Sequence, residues 1–181
     1  MTFAYRQAGP GDAGPAETLV ALCFGPGRFA KSAYRLREGV RPVSALSHVA
    51  EAAGRIVGSI QYWPVAIGSE PALLLGPLAV DPQLQGQGVG MGLMQLSLAA
   101  AAAAGWRAAI LVGDEPYYAR VGFQRLTPGR LTFPGPVDQT RLLGLALAAG
   151  ALETLAGPVL RPHLDEPQCA CGTALAPRTG G

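Results

Sequence analysis

The 181-residue sequence predicts a mixed α/β domain, with a central, mostly antiparallel β-sheet flanked by helices. Three observations carry that prediction. Apolar runs at residues 45–51, 55–67 and 72–80 follow one another through connectors of hairpin length, which makes them antiparallel neighbours. An alanine-rich segment from about Gly90 to Ala104 reads as a helix ended by Gly105. Ala108 to Val112 (AAILV) is short and wholly apolar, like a strand buried on both faces of a sheet.

Taken in order, Phe3 to Ala8 alternates like a short strand, and Gly9-Pro10-Gly11-Asp12 turns the chain. Asp12 is placed to cap a helix over Ala16 to Phe24, whose Leu19, Val20 and Phe24 share one face. Ala30 to Arg37 reads as a second short helix. The three hairpin-linked strands follow, joined by Ala52-Ala53-Gly54 and by Gly68-Ser69-Glu70-Pro71. After the Ala-rich helix and the AAILV strand, Glu115 to Val121 is expected to be a short helix and Phe123 to Leu126 a strand. The closing portion, Leu131 to Leu160, is apolar but irregular, and one strand and one helix are expected there. Residues 163–181 look like a loose tail, leaving 1–162 as a single domain.

Charged residues make up 14% of the chain against about 25% in an average domain, and the net charge is only +2. A nucleic-acid partner is therefore not expected, because backbone binding needs clustered Lys and Arg and the chain has a single lysine, Lys31. The N-terminus lacks the apolar core of a signal peptide, and the longest apolar segment, Leu142 to Leu152, is about half of the ~20 residues that a membrane span needs. A cytoplasmic location is expected, with no membrane contact. Three cysteines fit a reducing compartment. Cys169, Cys171 and His163 lack zinc-site spacing, so no metal is expected.

The chemistry concentrates in Val80 to Met94, VDPQLQGQGVGMGLM, where four glycines stand at every second position between a strand and a helix. Such a loop leaves first-turn N–H groups free at the positive end of the helix dipole, which is a phosphate site. A Walker loop needs Gly-Lys-Ser/Thr, and no lysine is present. In the dinucleotide pattern G-x-G-x-x-G, the third glycine would fall at Met91 or Leu93, and both fail. Asp114 does end the next strand, where a ribose-binding acid would stand, but the loop follows three hairpin-linked strands rather than opening a parallel unit.

Gln85-Gly86-Gln87-Gly88-Val89-Gly90 fits the Q/R-x-x-G-x-G/A signature of the GNAT acetyltransferase superfamily. The preceding Leu78-Ala79-Val80-Asp81-Pro82 resembles that family's strand lead-in, and Tyr117 to Phe123 resembles its Y-x-x-x-G-F element. Leu75 to Val80, Val112-Gly113-Asp114 and Pro134-Gly135-Pro136 are similar to the bacterial YhbS-like subgroup. The resemblance implies a GNAT-type sheet and an enzyme that moves the acetyl group of acetyl-CoA, as co-substrate, to a primary amine. It assigns the pyrophosphate cradle to Gln85, Gly86, Gln87, Gly88, Val89, Gly90 and Met91. The main chain of Leu78, Ala79 and Val80 would pair with the pantetheine arm, and one of those amides would polarise the thioester carbonyl. Gln87 stands where many relatives carry a basic residue.

The resemblance places Tyr118 as general acid to the departing thiolate, a role that a tyrosine of pKa ~10 can fill toward a thiol of pKa ~8.5. Tyr117, one residue earlier, is expected to be packing or a wall of the substrate site. Glu51, Asp81, Asp114, Glu115 and His48 are all conceivable general bases, a water chain could serve instead, and none is assigned. The rival in another class is a non-catalytic acyl-CoA sensor, which would need the glycine loop but no proton donor. Acceptor choice would be set by the segment Asp12 to Arg37 and by Leu126 to Leu160, with a small amine expected. Exposed strand edges would permit a homodimer.

Overall fold

The structure is a computed structural model that describes residues 2–27 and 32–162. The predicted tail, with His163, Cys169 and Cys171, lies outside the described residues, as do the first two residues of the predicted helix at 30–37.

The first half of the chain is β1 (Ala4–Gln7), α1 (Ala13–Phe24), α2 (Ser32–Arg35), β2 (His48–Ala52), β3 (Arg55–Ile67) and β4 (Glu70–Val80). The second half is α3 (Val89–Ala103), β5 (Ala108–Val112), α4 (Glu115–Tyr118), β6 (Gln124–Arg125), β7 (Leu131–Thr132), β8 (Leu142–Ala146), α5 (Ala151–Thr154) and β9 (Gly157–Leu160). The main sheet runs β1-β2-β3-β4-β5-β8-β6, and only β4 and β5 pair in parallel along it. The mixed, mostly antiparallel sheet read from the sequence is therefore present.

The closing portion differs from expectation, since it holds three strands and a helix rather than one of each. β8 inserts between β5 and β6, while β9 continues the edge beside β3 and pairs β7 in parallel. Strands of two to five residues carry too little periodicity to be separated within an apolar run. Asp12 occupies the N-cap position of α1 but makes no capping bond. Its carboxylate instead accepts from Gly9 N at 2.6 Å and pairs with Arg6 at 2.5 Å.

The alternation of side chains along β4 and β5 feeds two cores. Leu73, Leu75, Ala109 and Leu111 join the core beneath α3, while Ala72, Leu74, Ala108 and Ile110 join the one formed with β7, β8, α5 and β9. α3 lies tight on the sheet because Gly58 of β3 has no side chain: a Cβ there would stand 2.7 Å from Val89 and 2.9 Å from Leu93. Deeper along α3, the Ser97 hydroxyl meets the buried Tyr62 hydroxyl at 2.9 Å. α1 covers the opposite face, where Leu19 and Val20 pack on Ala79. The helix–sheet sandwich thus holds the start of α3 rigidly against the end of β4.

Candidate active site

The parallel pairing of β4 with β5 is confined to Leu73–Ala109 and Leu74–Ile110. Beyond it the strands separate, and Leu75 to Val80 forms one wall of an open wedge. The register of β4 against β3 slips by one residue between Leu75 and Leu78, so a bulge falls at Gly76-Pro77, where the peptide is cis. The Trp63 indole donates to the Gly76 carbonyl at 2.8 Å and pins the bulge. The wedge opens into a cleft of about 840 Å³, running from the start of α3 along β4 to α2 and the 136–138 loop. That size suits a small-molecule or cofactor site.

The glycine-loop end of the cleft is built from main chain. Gly86 (φ 78°) and Gly88 (φ 87°) adopt left-handed conformations, and a Cβ on either would meet nothing within 4 Å, so both face open space. Gly88 is the N-cap of α3, and no side chain caps the helix. The N–H groups of Gly86, Gly88, Val89, Gly90 and Met91 accordingly have no internal acceptor among the described residues. Gln87 is the exception in the loop. Its N–H is used by the Leu84 carbonyl at 3.3 Å, and its side-chain amide reaches back to Gln83 at 3.5 Å. Gln85 lines the cleft and donates from its side chain to the Val80 carbonyl at 3.4 Å, holding the loop against the strand.

The Val80 carbonyl also accepts from the Cys23 thiol at 3.3 Å, which puts this peptide on the cleft side of β4. The two-residue alternation of an antiparallel ladder gives Leu78 the same orientation and turns Ala79 toward Ser59 of β3. Leu78 and Val80 therefore present main chain to the cleft, whereas Ala79 does not and is buried against Leu19 and Val20. Two residues of the predicted set, Ala79 and Gln87, do not line the cleft, and both have their N–H groups turned to internal partners.

Tyr118 lines the cleft from the last turn of α4. Its ring is held edge-on by Tyr117 at 5.1 Å and by Phe123 at 6.0 Å, and it lies over Gly113, where a Cβ would be 2.4 Å away. No described residue hydrogen-bonds its hydroxyl. Burial above all, then the neighbouring Tyr117 and Asp114, pushes its pKa up to about 12, so the proton is held throughout the neutral range. Tyr117 also lines the cleft, but at the glycine-loop end, with its hydroxyl where a Gly90 Cβ would stand. Four alternating glycines thus have three uses. Gly86 and Gly88 bend the loop, Gly90 admits Tyr117, and Gly92 admits the ring of Tyr5, 2.5 Å from a Cβ placed there.

Of the five conceivable bases only Asp114 reaches the cleft. It stands at the N-cap of α4 without making a capping bond, and pairs with Arg141 at 3.1 Å instead. Glu51 is bound by Arg6, Glu115 by Arg125, and Asp81 receives Gln83 N at 3.0 Å. His48 is buried, with Nδ1 3.0 Å from the Leu46 carbonyl. Sequence reasoning missed the basic lining of the cleft, Arg37, Arg120 and Arg141. Scattered single arginines carry no spacing signal, and only the fold gathers them. Among the described residues no three His, Cys, Asp or Glu side chains converge on a metal position, and no helix is long and apolar enough to cross a membrane.

Comparison with known proteins agrees with this geometry. A family model for the acetyltransferase (GNAT) domain matches residues 44–125. No curated protein sequence matches significantly. The chain is similar to a GNAT family acetyltransferase from Brucella melitensis solved with acetyl-CoA, at 30% identity over 76% of this chain and 94% of that one (TM-score 0.56). It is also similar to the GNAT family N-acetyltransferase YhbS from Escherichia coli solved with CoA, at 28% identity over 88% and 89% of the two chains (TM-score 0.74). A Staphylococcus aureus GNAT acetyltransferase, 14% identical with a TM-score of 0.60, shares the fold. With its glycine loop, its split β4–β5 pair and these relatives, the chain belongs to the GNAT family of acetyltransferases.

Proposed function

We propose that this protein transfers the acetyl group of acetyl-CoA to a primary amine by direct attack, with Tyr118 as general acid. One observation carries the proposal. Tyr118 lines the same cleft as the unpartnered amides at the start of α3. The co-substrate supplies an acyl group activated as a thioester.

The N–H groups of Gly86, Gly88, Val89, Gly90 and Met91 would hold the pyrophosphate, helped by the α3 dipole. Arg120, lining the cleft beside Tyr117, supplies positive charge that Gln87 does not. The Leu78 N–H, the first main-chain donor past the bulge on the cleft side, would polarise the thioester oxygen, since Pro77 has no N–H and Ala79 is turned to β3. The amine nitrogen bonds to the carbonyl carbon and the carbon–sulfur bond breaks. The sulfur takes the Tyr118 proton, and the nitrogen gives its own proton to solvent or to Asp114.

Retention of a half-buried, still-protonated tyrosine on the cleft wall favours this over a non-catalytic acyl-CoA sensor. The test is amine-dependent release of CoA thiol by the wild type and by Tyr118→Phe. Loss of a general acid costs typically 10²–10⁴-fold in kcat, with acetyl-CoA affinity retained. Undiminished kcat in Tyr118→Phe would remove Tyr118 from the mechanism. Binding of acetyl-CoA without turnover on any amine would favour the sensor.

A further inference from the structure

At the end of the cleft away from the glycine loop, the wall is made by α2, by the bulge of β4 and by the 134–138 segment. Two of the three, α2 and the 134–138 segment, are tied together. Ser32 Oγ donates to the Pro136 carbonyl at 2.5 Å, and Arg35 donates to the Pro134 carbonyl at 3.0 Å. Into this end projects Arg37, just after α2. Its guanidinium lies 4.7 Å from the Tyr34 ring and 5.6 Å from the Trp63 ring, and one terminal nitrogen is 3.1 Å from where a Gly76 Cβ would stand. Gly76 (φ 123°) is thus the close approach that lets the cation reach the bulge.

Arg37 is set apart from the other cations of the cleft. Arg141 has Asp114, and Arg120 is exposed, whereas no carboxylate lies within ion-pair distance of Arg37 among the described residues. Its Nε is fully buried and makes no hydrogen bond. Burial draws its pKa down to about 10, which still leaves it charged at neutral pH. A cation taken from water without a counter-ion is unfavourable, and two aromatic faces with a hydrogen bond to the Tyr34 side chain offset only part of that. A planar fork of donors, dried on one side and open to the cleft on the other, is suited to a bidentate carboxylate.

We propose that the acceptor is an amine that carries a carboxylate, and that Arg37, at the bulge end of the cleft, binds that carboxylate and so holds the amine beside the thioester. This rests on the acetyl-transfer reading above. The acceptor class is then amino acids and their amino-carboxylate relatives, rather than polyamines or protein lysines. Arg37 is a binding residue for the acceptor and takes no part in the proton steps.

The experiment compares matched acceptors that differ in one group, namely an amino acid, its carboxamide and the decarboxylated amine. Each is assayed by CoA release with the wild type, Arg37→Met and Arg37→Lys. A charge-assisted bidentate contact predicts kcat/KM for the acid about 10- to 100-fold above the carboxamide in the wild type. The loss should fall mainly in KM. In Arg37→Met the ratio collapses toward one, and Arg37→Lys recovers part of it. Wild-type rates that are equal for acid and carboxamide, or higher for a phosphate-bearing amine, overturn the proposal.

A second readout is independent of turnover and of whether the variants fold. Calorimetric titration of CoA-loaded wild-type protein with N-acetyl amino acids and their methyl esters should favour the free acids at least tenfold. Equal affinities overturn the proposal even if an acceptor is acetylated. Conversely, no turnover with any amine alongside tight, acid-selective binding would sink the transfer reading and leave the carboxylate site standing.

Discussion

Gly90 offers a sharp test of how the cleft is assembled. It is the second residue of α3, and a Cβ there would stand 2.2 Å from the Tyr117 hydroxyl oxygen but 3.5 Å from Val80 Cγ2 and 3.6 Å from Tyr117 Cζ. One oxygen atom therefore obstructs alanine, and everything else is at ordinary contact. The Tyr117 ring is held edge-on to Tyr118, so it cannot swing aside without disturbing the tyrosine proposed as acid. Gly90→Ala should introduce about 1–3 kcal/mol of overpacking, offset by up to about 1 kcal/mol of helix propensity. The net loss expected is about 0–3 kcal/mol, and a displaced cradle amide should weaken acetyl-CoA by roughly 10- to 100-fold, the value of one hydrogen bond to a charged group. Tyr117→Phe removes the obstructing atom. In that background Gly90→Ala should be neutral or stabilising, which gives a coupling energy of about 1–3 kcal/mol. Urea denaturation of the four proteins in the cycle, with acetyl-CoA titrations alongside, measures both quantities. Effects that add to within about 0.5 kcal/mol would refute the placement of Tyr117 over the cradle.

Three further outcomes are expected. Gly88→Ala meets no atom within 4 Å but must keep φ near 87°. It should therefore cost only backbone strain of about 1–2 kcal/mol, seen as a fall in Tm of about 2–4 °C per kcal/mol; an unchanged Tm would argue against the left-handed cap. Because burial holds Tyr118 up to about 12, kcat should show no descending limb between pH 8 and pH 10, and a pH–rate profile falling with an apparent pKa near ~10, the ordinary tyrosine value, would contradict this. Asp12 is held down at about 2 by hydrogen bonds from Arg6 and Gly9 N. Its unfolded pKa is ~3.9, so its stabilising effect is complete above that value and is lost as pH falls from about 4 toward 2. Asp12→Asn should flatten that limb of an acid-denaturation curve, and an identical curve would show that the Arg6 bridge contributes nothing.

Much of the frame could be read from residues alone. Strand 55–67 and strand 108–112 form as expected, and the helix expected at 90–104 forms one residue earlier at each end, because each is an apolar run separated from its neighbours by glycine-containing connectors. The loop with free main-chain donors at the start of α3 is equally visible, since such a loop needs only glycines at set intervals. Three features were hidden, each for a physical reason. The β4 bulge decides which amides face the cleft, and it arises from a register slip between strands that only pairing reveals. The orientation of Ala79 and Gln87 depends on which neighbour takes their N–H groups. Arg37 looks like any helical arginine until Trp63, Tyr34 and Gly76, drawn from three separate elements, close around it.

In the proposed reaction a thioester bound at the Gly86–Met91 loop gives its acyl group to an amine beside Tyr118. The measurement closest to it follows CoA thiol and acetylated amine together in one reaction of acetyl-CoA, an amino acid and the protein. Equal amounts of both products, formed with turnover and slowed at least a hundredfold in Tyr118→Phe, are predicted. Thiol release without acetylated amine, or equal rates in the two proteins, would contradict the account.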